Sequence, residues 1–287
     1  MTTSAPPERT GATSVRVLRP QDEGQLRRLF LSDPVTHCFA EARLDNGGLR
    51  PNAPGGPFWG YGATGSVDSA LLVGANLVPV RTDAAARQAF AEHAVRVGRR
   101  SSSIVGPADE VLDLWARLEP HWGTAREVRP DQYLMVATDE AVVAADPEVR
   151  VCVATDLAAL FPACVAMFTE EVGVSPTAGG MEYAYRRRIG DLISQGRSFA
   201  RFEDSEPLFK AEIGALSQRA CQIQGVWTRP DRRRQGLASA GMTAVVALSQ
   251  RLSPLISLYV NGYNTGAVRA YEAAGFRTVA TFATVLF

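Results

Sequence analysis

Cys221-Gln-Ile-Gln-Gly-Val-Trp-Thr-Arg-Pro-Asp-Arg-Arg-Arg-Gln-Gly-Leu-Ala-Ser239 is the stretch from which the rest of the 287-residue chain can be ordered. Its first part reads as a strand, because Ile223, Val226 and Trp227 lack helical spacing. Pro230 and Asp231 break that strand. Beyond them Leu237, Gly241, Val245, Leu248 and Leu252 fall near one face of a helix. A strand, a short basic turn, small residues and a helix start together make a geometry for holding a pyrophosphate. Backbone N–H groups at the helix N-terminus point at the anion, and the helix dipole favours negative charge there. Gly236 and Ala238 fit because larger side chains would hold phosphates away from those amides. The plainer alternative is an arginine-rich solvated loop ahead of an ordinary helix.

A second stretch follows. Ile256-Ser-Leu-Tyr-Val260 has the composition of a strand. Next comes Asn261-Gly-Tyr-Asn264-Thr-Gly-Ala267-Val-Arg-Ala-Tyr271-Glu-Ala-Ala-Gly275-Phe276. Asn264 can cap a helix by accepting from first-turn N–H groups, and Gly275 suits the left-handed residue that ends one. Asn264 and Tyr271 lie close to two turns apart, on one face.

The first stretch resembles the acyl-CoA-binding motif of the GNAT superfamily of N-acetyltransferases, Arg/Gln-x-x-Gly-x-Gly/Ala after a strand, with Val226, Pro230, Arg233, Gly236 and Ala238 at the family positions. The second resembles the family's Asn-x-x-Ala-x-x-x-Tyr-x-x-x-Gly-Phe signature. Two signatures in family order cover the last 140 or so residues well and the first half weakly. The resemblance implies an α/β fold (a mixed, mostly antiparallel sheet flanked by helices) and direct transfer of an acetyl group from acetyl-CoA, as co-substrate, to an amine. It implies that Val226, Trp227, Thr228, Arg233, Arg234, Gln235, Gly236, Leu237, Ala238, Ser239, Asn264 and Tyr271 line the CoA site. Backbone N–H groups around Val226–Thr228 would then stabilise the oxyanion, and Tyr271 would protonate the leaving thiolate.

The base that deprotonates the incoming ammonium is narrowed by position. His37, His93 and His121 all lie in the first half, so a histidine base or a Ser/His/Asp triad within the second half is excluded. Glu212, Glu171 and Glu170 remain as candidates, alongside a water chain and a purely solvated role for each. Cys221 is expected to be a packed strand residue.

Composition agrees with a globular protein: 46% hydrophobic, 21% charged, formal net charge zero. No global field attracts nucleic acid or an anionic membrane, so the Arg229–Arg234 cluster suits a small polyanion such as CoA. No apolar run approaches the roughly 20 residues of a membrane helix. Met1–Ala12 is polar and reads as a disordered lead rather than a signal peptide. Cys38, Cys152, Cys164 and Cys221 lack zinc or disulfide spacing, so no metal is expected and the location is cytoplasmic by default. Lys210 is the single lysine among 30 basic residues, which suggests a high-GC bacterial genome. A monomer and a homodimer are both open.

The chain also repeats itself. Val15-Arg-Val-Leu, then Pro20-Gln-Asp and Leu26, Leu29, Phe30, matches Val149-Arg-Val-Cys-Val, then Thr155-Asp and Leu157, Leu160, Phe161. The match reads as two tandem domains, and with the family resemblance it implies that both are GNAT-like. Residues 1–146 form a degenerate copy, with Thr82-Asp-Ala-Ala-Ala-Arg where a glycine cradle should stand, and 147–287 form the active copy. Thr138–Pro147 is read as the linker. Gly60-Tyr-Gly-Ala-Thr-Gly65 spells a dinucleotide fingerprint but has Pro54-Gly-Gly-Pro ahead and an apolar β-like run behind, so a hairpin turn is expected. The competing function is a non-catalytic acyl-CoA sensor or partner-binding module on the same cradle.

Overall fold

The computed structural model describes residues 13–50 and 52–287; the expected lead Met1–Ala12 lies outside them. The described residues divide into two compact units, one up to residue 132 together with 281–287, the other 133–280.

The first unit runs β1 (Ser14–Val17), α1 (Glu23–Leu31), α2 (Cys38–Gly47), β2 (Phe58–Gly62), β3 (Ser69–Val73), β4 (Asn76–Val80), α3 (Ala84–Val97), β5 (Ser103–Pro107), α4 (Ala108–Trp122) and the first part of β6 (Glu127–Ala137). β1 to β5 lie side by side in chain order. All are antiparallel except the β4–β5 pair. Leu26, Phe30, Leu44, Phe58 and Leu72 fill one core, and Trp59, Leu77, Phe90, Ile104 and Leu114 fill another. Gly60–Gly65 spans the end of β2 and the reversal into its antiparallel partner β3, so no helix follows and the dinucleotide reading falls. Helix α2 was not expected from the sequence. Apart from Leu44 its buried apolar residues are small (Cys38, Ala40 and Ala42), and Glu41 among them is itself buried.

The second unit repeats this order with β7 (Arg150–Val151), α5 (Leu157–Val172), α6 (Glu182–Ser194), β8 (Ser198–Glu203), β9 (Glu206–Leu216), β10 (Ala220–Thr228), α7 (Leu237–Ser249), β11 (Leu255–Asn261), α8 (Thr265–Ala273) and β12 (Phe276–Leu286). β7 to β11 are again neighbours in order, antiparallel except β10–β11. Phe209, Ile213, Ile223, Met242, Val245 and Tyr271 share the main core, while Leu160, Phe161, Cys164, Tyr185 and Ile189 form a second.

The repeated openings share side-chain chemistry as well as order. Arg16 reaches the two oxygens of Asp22 at 2.7 and 2.8 Å, and Asp22 also accepts from the Arg19 N–H at 2.8 Å. Arg150 and Asp156 repeat the fork at 2.7 and 2.9 Å, with the Val153 N–H at 2.8 Å. In both units the paired aspartate closes the single 3-10 turn that feeds the first helix.

The units do not divide where the sequence put the boundary, at 146/147. The division falls inside β6 and again inside β12, because each strand places residues in both units. In the first unit Phe282–Leu286 of β12 pairs antiparallel with β5. The expected linker is instead tied into the second unit. The Thr138 and Asp139 N–H groups donate to the Gly275 carbonyl, Val142 to Ala273, and Asp146 to Ala240.

Candidate acyl-transfer site

The site begins where two parallel strands part. β10 and β11 pair from Ala220↔Leu255 to Gln222↔Ser257. Beyond that ladder β10 continues to Thr228 and β11 to Asn261. A bulge on β10 adds to the opening: the register with β9 shifts between Gln224↔Glu212 and Trp227↔Lys210, and Gly225 takes φ 61° there. Such a bulge re-aims the backbone that follows it, here Val226, Trp227 and Thr228. Trp227 keeps its indole N–H buried with no partner among the described residues.

At the end of β10 the chain turns into α7. Gly236 is the residue before the helix, at φ 80°, and brings no side-chain cap to the first-turn amides of Leu237, Ala238 and Ser239. No atom lies within 4 Å of where its Cβ would be. These bare amides fit a pyrophosphate, and a side chain at 236 would fill the place it needs. Arg234, at φ 63°, and Gln235 are exposed beside this mouth, and Arg234 has no partner among the described residues.

The other arginines of the cluster are largely neutralised. Arg233 donates through Nε to the Thr228 carbonyl at 3.1 Å and lays its fork on Glu170 at 2.9 and 2.7 Å. Arg229 pairs with Glu203, Glu206 and Asp231, and Arg232 with Glu203 and Asp231. Arg233 thus clips the turn to α5.

On the β11 side, the Asn264 Oδ1 accepts from the Ala267 N–H at 3.2 Å and caps α8, as its position predicts. Gly275 ends the helix at φ 89°, and a Cβ there would stand 2.4 Å from the Asp139 carbonyl oxygen. Tyr271 is 8% exposed. Burial, reinforced by the charge of nearby Glu171, pushes its phenol well above the ordinary value, so it is protonated at neutral pH. Glu171 is exposed at the end of α5 and accepts from the buried Asn261 amide at 3.3 Å. Asn261, which sequence reasoning passed over, thus links the end of β11 to the carboxylate beside Tyr271.

Glu212 sits differently. It is 2% exposed and accepts from Arg188 at 2.9 Å, Gln224 at 3.1 Å and Lys210 at 3.2 Å. Burial pushes its pKa up, but the charges of Lys210 and Arg188 and the bonds from Gln224 and Arg188 outweigh it and hold the carboxyl at about 2. A carboxylate so stabilised is a weak proton acceptor at neutral pH. The single lysine, passed over as a mark of genome composition, is wholly buried as its partner, and its pKa is raised chiefly by Glu212 against the cost of burial. Gly214 leaves the space in which the Gln224 amide lies. Cys221 is buried in the main core, where desolvation pushes its thiol to about 12. Among the described residues no group of three or more His, Cys, Asp or Glu is placed to hold a metal, and no helix is long and apolar enough to cross a membrane.

The first unit closes the corresponding features with its own groups. At the start of α3 the Asp83 carboxylate accepts from the Ala86 N–H at 2.7 Å. Glu110 takes both the hydroxyl and the N–H of Thr82. Pro79 has no N–H to offer on β4, and its ring lies 3.4 Å from where a Gly106 Cβ would be.

The acetyltransferase (GNAT) family model matches residues 171–276, and a domain of unknown function, DUF4081, matches residues 56–160. The C-terminal region thus holds a GNAT domain. No curated protein matches the chain in sequence. Solved structures of similar fold include a GNAT-family acetyltransferase from Colwellia psychrerythraea, 14% identical with TM-score 0.57 over 96% of this chain and 99% of that one. A GCN5-related N-acetyltransferase from Sphaerobacter thermophilus is 16% identical, TM-score 0.57, over 97% and 95%. A tandem GNAT protein from the clavulanic acid biosynthesis pathway is 14% identical, TM-score 0.55, over 95% and 98%. At these identities the likeness is one of fold.

Proposed function

On the premise of a GNAT acetyltransferase domain at residues 171–276, we propose that the chain transfers an acetyl group from acetyl-CoA to an amine acceptor through its C-terminal copy. The observation that carries this reading is the pairing of an uncapped α7 N-terminus at Gly236 with the open end of β10. Bound there, acetyl-CoA supplies an activated thioester carbonyl. The amides of Leu237, Ala238 and Ser239 hold its pyrophosphate, with Arg234 adding charge. Val226, Trp227 and Thr228, past the Gly225 bulge, offer N–H groups to the carbonyl oxygen as the amine adds. The new C–N bond forms, the C–S bond breaks, Tyr271 gives its proton to the departing sulfur, and the surplus proton shed by the nitrogen restores the Tyr271 phenol.

The ammonium proton goes to Glu171, which is exposed and lies beside Tyr271; Asn261 orients its carboxylate. Glu212 serves as counter-ion to Lys210 and Arg188 instead of as this base. The first copy supports the fold and binds no CoA, its α3 terminus being occupied by Asp83. The competing sensor reading predicts binding without turnover. Release of free thiol from acetyl-CoA, measured against a panel of primary amines, tests the proposal. Amine-dependent release supports transfer, and binding with no release by any amine favours the sensor.

A further inference from the structure

The buried cluster beneath the β10 bulge carries an unbalanced charge. Lys210 is fully buried, Glu212 is 2% exposed, and Arg188 donates to the same carboxylate. Two cations therefore share one anion. Among the described residues, the groups that act most strongly on Arg188 and Lys210 are Glu212, the Cys164 thiol and the Tyr185 phenol. Burial raises the thiol and the phenol, Tyr185 to about 12, so neither supplies the missing negative charge at neutral pH.

Arg188 is the member that reaches outward. Its side chain keeps 42% of its surface exposed, and among the described residues only Nη2 is engaged, leaving the Nε–H and Nη1–H donors without a partner there. The cluster also lies directly under the strand that forms the site. Glu212 is in register with Gln224 and Lys210 with Trp227, the two residues that flank the bulge. A Cβ at Gly225 would stand 3.2 Å from both Glu212 Cδ and Lys210 Nζ, one residue before the amides of Val226–Thr228.

Resting on the acyl-transfer reading, we propose that Arg188, backed by the Lys210–Glu212 pair, seats a carboxylate of the molecule that enters the acyl-transfer site. A carboxylate matches the planar donors of the guanidinium and brings the cluster to neutrality. It comes on the acceptor, as in an amino acid or a peptide C-terminus, or on the far end of a dicarboxylic acyl chain. Glu212 fixes the guanidinium in place, and Lys210 keeps Glu212 from claiming it fully.

Arg188→Gln is the informative variant, because removing the surplus cation leaves a balanced Lys210–Glu212 pair and a fold of unchanged stability. The wild type and Arg188→Gln would be assayed with acetyl-CoA against amino acids and their decarboxylated amines, and with succinyl-CoA against acetyl-CoA. If the carboxylate is on the acceptor, the wild type prefers amino acids, and Arg188→Gln raises KM for them about tenfold or more while leaving the plain amines unchanged. If it is on the acyl chain, the wild type prefers succinyl-CoA and the variant loses that preference. Indifference to a carboxylate on either substrate, or an equal effect of the variant on charged and uncharged substrates, overturns the inference while leaving acyl transfer intact.

If no amine is acylated, the function fails and the inference is read by binding alone. Thermal shift with N-acetylglycine against N-methylacetamide then tests it on the protein without CoA. Stabilisation by N-acetylglycine only, lost in Arg188→Gln, supports a carboxylate seat. No such difference contradicts it.

Discussion

Replacing Glu212 by Gln removes one charge from the buried cluster and leaves Lys210 and Arg188 facing each other with no anion between them. The size of the loss follows from two routes. The folded carboxyl is held at about 2 against an ordinary 4.5, a difference equivalent to about 3 kcal/mol. Breaking a buried ion pair from one side costs about 3–5 kcal/mol for the same physical reason, an uncompensated buried charge. At roughly 2–4 °C per kcal/mol for a unit of this size, Glu212→Gln is expected to melt about 8–15 °C below wild type at pH 7.

The pH dependence has a fixed sign. A depressed carboxylate stabilises fully above 4.5, and that contribution is lost as the pH falls from there toward 2. Urea unfolding of both proteins at pH 7 and pH 3.5 reads it, and the wild-type advantage should shrink by roughly 1–1.5 kcal/mol at the lower pH. Arg188→Gln, which leaves one cation and one anion, should stay within about 1 kcal/mol of wild type. The reasoning is refuted if Glu212→Gln unfolds within about 1 kcal/mol of wild type at pH 7, or if Arg188→Gln destabilises as much as Glu212→Gln does.

Other consequences are open to test. Tyr271→Phe should lower turnover about tenfold or more with acetyl-CoA affinity unchanged; turnover equal to wild type would remove the phenol as proton donor. His37, 4% exposed with its Nδ1 unpartnered, is pushed by burial from 6.5 to about 4, so it resists protonation only while folded. Its stabilising contribution is complete above 6.5 and is lost as the pH falls from there to 4. Between pH 7.5 and 4.5 the wild type should lose about 2.5 kcal/mol more than His37→Phe in urea unfolding, and equal losses would rule out a buried neutral histidine.

Much of this was written locally. The strand-turn-helix at Cys221–Ser239, the Asn264 cap and the left-handed Gly275 depend on neighbours within a few residues, so their sequence spacing carries them. The repeated openings were legible for the same reason, although the matching Arg16–Asp22 and Arg150–Asp156 forks emerge only in three dimensions. What was not legible depends on pairing across elements. Arg188 on α6, Lys210 and Glu212 on β9 and Gln224 on β10 look like unrelated polar residues until the sheet brings them together. Two signals were present: an arginine three residues from Tyr185 on the apolar face of α6, and a glycine inside a strand, which marks a bulge. Arg233 shows the converse. Its motif position suggested a phosphate ligand, yet Glu170, distant in sequence, holds its fork. The exchange of β6 and β12 residues between units has no local signature at all.

Calorimetric titration of the intact protein with acetyl-CoA, run beside Gly236→Val, tests the cradle most directly. One binding site per chain is expected in the wild type, with a thermal stabilisation of about 2.7 kcal/mol at 100 times the dissociation constant, and both should vanish in Gly236→Val. Two equivalent sites, or binding that survives the valine, would contradict a single cradle at the mouth of α7.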